Sequence, residues 1–256
     1  MIADADIALA HRLADAAGAA IRPFFRAHYA MEAKADATPV TEADRAAETA
    51  IRAILEAERP DDGIVGEEYG SVRPDARRRW VLDPIDGTRS FIAGRPIFGT
   101  LIALLDEETP ILGLIDQPIL GERWLGAQGH PTTFNGTPAR TRACATLGQA
   151  LLATTSPWLF DAADRPRFEA LAAASGDILF GGDCYNYASV AIGQVDLVVE
   201  AGLKLYDFAA LVPVIEGAGG RMCDWQGKPL GASSSGQVIA AGDPALIPQI
   251  LDTLGR

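Results

Sequence analysis

The sequence predicts an α/β protein in which helices pack against sheets. Two segments near the N-terminus carry apolar residues at helical spacing, which is typical of amphipathic helices. From Phe98 onward the pattern changes to short strand-like runs separated by glycine, proline and acidic turns. In the second half of the chain such runs alternate with helical segments. Helices that alternate with strands in this way indicate layers of helices on sheets.

The first helix is predicted over residues 4–28, with Asp4 or Asp6 as its cap and a kink at Pro23. Its apolar positions are Ile7, Leu13, Ile21 and Phe24.

An extended segment at 38–41 leads into a second helix that starts near Thr41. Thr41 and Asp44 fit a capping box, which is one explanation of Asp44. The apolar positions of this helix are Ile51, Ile54 and Leu55.

Two apolar runs that follow are predicted to be short strands with acidic residues at their ends. Ile64–Gly66 is followed by Glu67 and Glu68, and Trp80–Leu82 is predicted to stop at Asp83-Pro84.

The segment from Asp83 to Phe91 is predicted to form an acidic turn followed by the start of a helix at Ser90. Asp83 and Asp86 lie three residues apart, and Asp86-Gly87 is a turn dipeptide. Carboxylate oxygens suit a hard divalent cation, and backbone N–H groups at a helix start suit a phosphate. An isolated pair of this kind is usually a surface turn, but this pair follows a buried strand.

The remaining elements are predicted from the same signals. The segments 100–105, 111–115 and 122–126 form an antiparallel meander, and a turn at Asn135-Gly136 marks a domain boundary. Residues 1–136 then form an N-terminal α+β part with the acidic motif, and residues 137–256 form a C-terminal α/β part that completes the active site. Later strands are predicted at 151–154, 178–180, 196–200 and 237–241, and later helices at 165–174, 185–192, 208–215 and 245–254.

The composition limits the function classes. The chain has 256 residues, 48% of them hydrophobic, and a net charge of -12, so it lacks the basic surface that a nucleic-acid partner needs. No N-terminal signal pattern and no apolar run of membrane length is visible, so we expect no membrane partner and a cytoplasmic location. Cys144, Cys184 and Cys223 are odd in number and lack metal spacing, which indicates free thiols.

Four acidic residues stand out by their position next to predicted strand ends or helix starts. They are Glu67, Asp83, Asp86 and Asp207. Such groups repel one another in a dry cleft unless cations relieve the repulsion. An all-oxygen ligand set suits Mg²⁺ or Mn²⁺. Taken one at a time, Asp207 could be a helix cap and Glu67-Glu68 a solvated pair.

The acidic residues also lie in motifs that resemble the inositol monophosphatase family of magnesium-dependent phosphatases. The motifs are Val40-Thr41 with Asp44, Gly66-Glu67-Glu68, Asp83 through Phe91, Tyr206 through Ala210, and Glu216 through Gly220. They occur in family order over nearly the whole chain. The resemblance implies a layered αβαβα sandwich of the inositol monophosphatase/fructose-1,6-bisphosphatase type, and a homodimer.

Three segments are similar to the histidinol-phosphatase branch of that family. They are 88–96, 100–104 and 202–213. Many family members have Trp at the position of Tyr206, and this departure favours a substrate other than inositol phosphate.

The resemblance also implies roles for individual residues. Two or three Mg²⁺ ions would be held by Glu67, Asp83, the carbonyl of Ile85, Asp86 and Asp207. Thr88, oriented by Asp44, would position and deprotonate the attacking water, and the backbone N–H groups of Gly87 and Thr88 would bind phosphate. Asp183 and Glu200 align with substrate contacts.

These observations lead to a phosphatase for a small phosphate monoester, with L-histidinol phosphate, from histidine biosynthesis, as the substrate. The alternatives are inositol 1-phosphate, a sugar bisphosphate or a nucleotide 3′-phosphate. A regulatory binding protein of the same fold is a further alternative, although it would not need Asp44, Thr88 and Asp207 together.

Overall fold

The computed structural model describes residues 2–27, 31–33 and 39–255. The helices are α1 (Asp4–Ile21), α2 (Glu42–Glu58), α3 (Thr88–Ile92), α4 (Asp164–Ala174), α5 (Cys184–Ala191), α6 (Leu205–Phe208), α7 (Leu211–Gly217) and α8 (Ile247–Leu254). The strands are β1 (Met31–Ala33), β2 (Pro39–Thr41), β3 (Gly63–Gly66), β4 (Gly70–Val72), β5 (Arg78–Asp86), β6 (Gly99–Asp106), β7 (Thr109–Gln117), β8 (Glu122–Ala127), β9 (His130–Phe134), β10 (Thr137–Pro138), β11 (Leu151–Thr154), β12 (Asp177–Phe180), β13 (Leu197–Glu200), β14 (Arg221–Cys223) and β15 (Val238–Ala241).

The first large sheet has eight strands in the order β10-β9-β8-β7-β6-β5-β3-β4. Neighbouring strands of this sheet are antiparallel, except β3 and β5, which run parallel to each other. The predicted antiparallel meander is confirmed as β6, β7 and β8.

The second large sheet has five strands in the order β12-β11-β13-β15-β14. The strands β12, β11 and β13 run parallel, while β15 is antiparallel to both of its neighbours. A separate pair, β1 and β2, is antiparallel and contains part of the extended segment predicted at 38–41.

The strands and helices form five layers. Alternate residues of β5 face opposite sides of the first sheet, as the pleat requires. Trp80 and Leu82 pack with α1 and α2, whereas Val81 packs in a core shared with α5, α7 and the second sheet. The outer face of the second sheet packs on α4 and α8. The αβαβα sandwich is therefore confirmed.

The N-terminal helix differs from its prediction. It ends at Ile21, and Pro23 lies in a 3-10 turn over Arg22–Phe24, because proline cannot donate the next helical hydrogen bond. Neither Asp4 nor Asp6 caps the helix; Asp6 is buried and forms ion pairs with Arg59 and Arg78. The predicted end at residue 28 lies outside the described residues.

The central strand is longer than predicted. Asp83 pairs with Leu101 and Asp86 pairs with Gly99, so β5 continues through the motif, and a register shift separates the two aspartates. The irregularity keeps Pro84 out of the ladder, which is how a strand accommodates a proline. The prediction of a turn between the aspartates was therefore wrong. The register shift is a β-bulge, and the local sequence does not indicate it.

The apolar run after Asp207 was predicted to be one helix at 208–215. In the structure this run is divided between two helices, α6 and α7. Among the strands that the sequence did not predict, β4 and β14 are three residues long and lie at sheet edges. Three residues are too few to show an alternation of apolar and polar positions, so such strands leave no clear pattern in the sequence.

Candidate active site

A cleft of about 310 Å³ lies where the carboxyl ends of strands from both large sheets meet. It is bordered by the residues that follow β3, β5, β11 and β13, and by the first turns of α3, α5 and α6. The residues that line it include Glu67, Asp83, Ile85, Asp86, Gly87, Thr88, Arg89, Thr155, Asp183, Cys184, Tyr187, Glu200 and Asp207. Strand ends are the usual location of a ligand site in layered α/β folds.

Three aspartates that are distant in sequence meet in this cleft. Asp83 and Asp86 come from the irregular end of β5, and Asp207 comes from the first turn of α6. One carboxylate oxygen from each lies within 4.8 Å of the other two. Asp83 is buried, and its Oδ1 has no hydrogen-bond partner among the residues that the structure describes.

Backbone N–H groups hold two of these carboxylates in place. Oδ2 of Asp86 accepts a hydrogen bond of 2.6 Å from the Cys184 N–H, and Oδ2 of Asp207 accepts one of 2.6 Å from the Lys204 N–H. Asp207 is thus the third residue of α6, and through the Lys204 N–H it takes part in capping this helix, although the N-cap position itself belongs to Lys204. Neither hydrogen bond adds a positive side chain to the cleft.

The electrostatics of the cluster are those of crowded acids. Burial, together with the charges of Glu67 and Asp86, raises the pKa of Asp83 well above its ordinary value. Burial and the charge of Asp183 raise the pKa of Asp86 in the same direction. Burial, opposed by the Lys204 N–H, raises the pKa of Asp207 to about 7.

The residues present fit a divalent cation. The donors are hard carboxylate oxygens, and the buried Oδ1 of Asp83, which is bonded to none of the described residues, is available to a cation. A bound cation would lower the raised pKa values of these aspartates, since it favours their charged forms.

Glu67 follows β3, which is the parallel neighbour of β5. Its N–H donates to the Leu82 carbonyl at 3.2 Å, so the chain leaves the sheet directly after this residue. Glu67 lines the cleft, and its charge contributes to the raised pKa of Asp83.

Gly87 and Thr88 begin α3 at the base of the cleft. Gly87 has φ 85°, and a Cβ at this position would lie 2.8 Å from Oδ2 of Asp183, so glycine is required for both reasons. The Thr88 hydroxyl donates to the carbonyl of Ile85 at 3.1 Å. Asp44 is buried in α2, and its charge reaches Asp83. The hydrogen bond between Asp44 and Thr88 stays a prediction.

Asp183 and Glu200 line the same cleft and differ in environment. The half-buried Asp183 accepts a hydrogen bond of 3.1 Å from Ser90 Oγ, and the positive charges of Arg89 and Arg95 act to lower its pKa. Burial outweighs these effects, so the pKa of Asp183 is raised.

Glu200 is buried, and each of its two carboxylate oxygens accepts one hydrogen bond from the protein. Oε1 accepts from the Thr155 N–H at 2.8 Å, and Oε2 accepts from the Tyr187 hydroxyl at 2.9 Å. Burial raises the pKa of Glu200.

The sequence interpretation missed Cys184 and Tyr187 as residues of this cleft. The sequence indicated only a free thiol at Cys184, and the structure shows this thiol buried beside Asp86. Tyr187 was placed only within a predicted helix. The available signal was their position just after Asp183, at the amino end of α5.

The five-layer fold and the carboxylate-lined cleft define a phosphatase with a site suited to divalent cations. The model of the family described as "Inositol monophosphatase family" matches residues 3–255, and the chain belongs to that family. It is a phosphoric monoester hydrolase.

Three relatives show the range of activities nearby. A bifunctional phosphatase, IMPL2, from the chloroplast of Arabidopsis thaliana is 50% identical, with 96% of this chain and 74% of the relative covered. A histidinol-phosphatase from Chlorobaculum parvum is 38% identical, with 92% of each chain covered. The solved structure of an inositol monophosphatase from Zymomonas mobilis is 59% identical in sequence and superposes with a TM-score of 0.92. The match covers 99% of this chain and 98% of the Zymomonas mobilis chain.

Within the described part of the chain, none of the helices combines the length and the apolar character that crossing a bilayer requires.

Replacing Asp207 by Asn is expected to stabilise the cation-free protein at pH 8. The carboxyl group has a pKa of about 7 when folded, against about 3.9 in an unfolded chain. Its protonated form therefore favours the folded state at low pH, and this stabilisation is lost as the pH rises from about 4 to about 7. Asn has no charge to bury and can still accept from the Lys204 N–H.

Thermal melts in chelator should give the variant on the order of 1–3 kcal/mol more stability at pH 8, with a difference that shrinks toward pH 4. Added Mg²⁺ should stabilise the wild type more than the variant. A variant that melts below the wild type at pH 8 without divalent cations would contradict the electrostatic argument.

Proposed function

We propose that the protein hydrolyses L-histidinol phosphate to L-histidinol with the help of Mg²⁺. The observation that carries this proposal is that Asp183 and Glu200 add negative charge to the cleft that already contains the three clustered aspartates. A substrate with positive charge on its alcohol portion suits such a cleft. The similarity to histidinol-phosphatases supports the choice.

The proposed cation ligands are the carboxylates at the strand ends together with one carbonyl. They are Glu67, Asp83, the Ile85 carbonyl, Asp86 and Asp207, for two or three Mg²⁺ ions, with Mn²⁺ as an alternative. When bound, the cations neutralise charge on the phosphate and make water a stronger nucleophile. The N–H groups of Cys184 and Lys204 keep Asp86 and Asp207 in place without competing positive charge.

Thr88 and Asp44 are the proposed catalytic residues. Thr88 lies at the first residue of α3 with its hydroxyl directed at the Ile85 carbonyl, and so lies beside the end of β5. In the proposal the Thr88 hydroxyl orients the attacking water and Asp44 receives the proton through it. The N–H groups of Gly87 and Thr88 bind the phosphate oxygens, as at other helix starts.

The substrate preference follows from the charges beyond the cluster. Histidinol phosphate has an ammonium group near its phosphate-bearing carbon and an imidazole, whereas inositol phosphate presents neutral hydroxyls. Glu200 is oriented by two donors that use one lone pair on each oxygen, so each oxygen can accept again. A cationic alcohol can form charge-assisted bonds there that a polyol cannot.

Inositol 1-phosphate is the second candidate substrate. The Zymomonas mobilis relative at 59% identity is an inositol monophosphatase, and the Arabidopsis relative is a bifunctional phosphatase. A sugar bisphosphate or a nucleotide 3′-phosphate, and a regulatory binding role, have less support in the cleft.

We also propose that the protein is a cytoplasmic homodimer. Exposed large apolar side chains at the carboxyl end of the edge strand β12, Leu179 and Phe180, give a surface that a second copy can cover. Sedimentation velocity tests the dimer.

Chelation is expected to abolish turnover, and Mg²⁺ is expected to restore it. Asp86→Asn should be folded and nearly inactive, because the cluster loses a central ligand. Initial rates of phosphate release in chelator, with and without added Mg²⁺, check both expectations. Undiminished turnover in chelator contradicts the cation mechanism.

Thr88→Ala and Asp44→Asn are expected to lower kcat by about 10²- to 10⁴-fold with little change in KM, because water positioning acts mainly in the transition state. Thr88→Ser keeps the hydroxyl and is the matched control, which should retain most activity. Melting curves accompany the kinetics because Asp44 also lies in the first turn of α2. An Asp44→Asn protein that loses stability and keeps kcat would show that Asp44 is only a cap.

Glu200→Gln is expected to lower kcat/KM for histidinol phosphate by about ten- to a hundredfold while leaving an aryl phosphate almost unchanged, since one charge-assisted bond is typically worth roughly 1.5–3 kcal/mol. Asp183→Asn should act in the same direction and more weakly. Tyr187→Phe should produce part of the Glu200 effect because it removes a donor that orients this carboxylate.

The exposed Glu169→Gln, on α4, is the control. A wild type that prefers inositol 1-phosphate, or variants that lose both substrates equally, contradicts the substrate assignment and leaves the phosphatase activity in place.

A further inference from the structure

A second acidic residue of α2, Glu48, is buried outside the cleft. It lies one helical turn after Asp44 and has no exposed surface. Its carboxylate pairs with Arg52 at 2.7 Å, four residues later on the same helix. A hydrogen bond between a guanidinium and a carboxylate is charge-assisted, and it is stronger than one between neutral groups.

The other partners of this carboxylate belong to the turn that follows β3. Oε2 accepts from the Glu68 N–H at 2.8 Å, and Oε1 accepts from the Tyr69 N–H at 3.2 Å. The Arg52 guanidinium donates to the Gly70 carbonyl and lies over the Tyr69 ring. Glu48 and Arg52 therefore bind the turn along its length.

The chain is shaped for this contact at Gly66, the last residue of β3. A Cβ at this position would overlap the Glu48 carboxylate. The glycine thus allows the carboxylate to lie against the backbone just before Glu67.

The backbone at Glu67 and the backbone just after it are consequently held by two different elements, β5 and α2. The N–H of Glu67 is bonded to Leu82 of β5, and the next two N–H groups are bonded to Glu48 of α2. The direction of the Glu67 side chain into the cleft depends on both attachments.

We propose that Glu48 is a positioning residue that holds Glu67 for divalent-cation binding; the inference rests on the proposed function. Glu48 acts through the backbone of residues 67–69 and does not touch the ligand. A carboxylate is required because the three donors around it need acceptors on both oxygens. Glutamine would direct an NH₂ group at one of them.

The test is Mn²⁺ affinity, measured by electron paramagnetic resonance on Glu48→Gln and on wild type. We expect affinity about 10- to 100-fold weaker in the variant, the usual effect of losing a partner behind a ligand. At saturating Mn²⁺, kcat for an aryl phosphate should recover to near the wild-type value. Glu56→Gln, an exposed residue of the same helix, is the matched control and should match wild type in both measurements.

A Glu48→Gln protein with a lower melting temperature and unchanged Mn²⁺ affinity overturns the proposal, since Glu48 would then only stabilise the fold. If this variant does not fold, Arg52→Gln provides the same test, because it leaves the carboxylate but removes the group that pins it. Weaker Mn²⁺ binding with recovered kcat supports the proposal, and unchanged binding overturns it. If the wild type binds Mn²⁺ and the variant binds it with the same affinity, only the positioning role of Glu48 is contradicted. A wild type that neither binds Mn²⁺ nor releases phosphate defeats the proposed function itself.

Discussion

Repulsion between buried and half-buried carboxylates held in one cleft is the constraint on which the arrangement of this molecule depends. Asp83, Asp86 and Asp207 come from two elements, and each has a pKa above its ordinary value because of burial and its neighbours. Such a cluster opposes folding when it is ionised without a counter-charge. It persists only because the five packed layers around it supply the stability, and because a cation can relieve the repulsion.

The protein holds its acidic side chains mainly with backbone N–H groups. Asp86, Glu200 and Glu48 each accept at least one such bond, and so does Asp207. An N–H group fixes the direction of a carboxylate and leaves its negative charge available, whereas an arginine partner would neutralise it. Arg52 pairs with Glu48 outside the cleft, where no ligand is proposed to bind. Among the described residues, no basic side chain forms an ion pair with Asp83, Asp86 or Asp207, and Arg89, which lines the cleft, acts on Asp183 instead.

The sequence was sufficient for the layers and insufficient for the details that shape the cleft. Periodicity predicted the antiparallel meander and most helices, because their apolar faces are wide and regular. It could not show that β5 continues past Pro84, since a bulge depends on the pairing of β6. It also placed Asp207 before a single apolar run and gave no role to Cys184 or Tyr187. Contacts between residues about a hundred positions apart, as between Cys184 and Asp86, leave no local pattern.

The two acidic residues beyond the cluster are unequal, and the difference bears on substrate choice. Asp183 has φ 44°, is half-buried, and faces the positive charges of Arg89 and Arg95, which offset part of its negative charge. Glu200 is buried, forms no ion pair with a basic side chain among the described residues, and is oriented by Thr155 and Tyr187. A carboxylate of this second kind gains most from a cationic ligand, because its charge is neither screened by water nor paired within the protein. In the proposed enzyme, selectivity for a positively charged alcohol therefore resides mainly in Glu200, while Asp183 mainly shapes the start of α5 against Gly87.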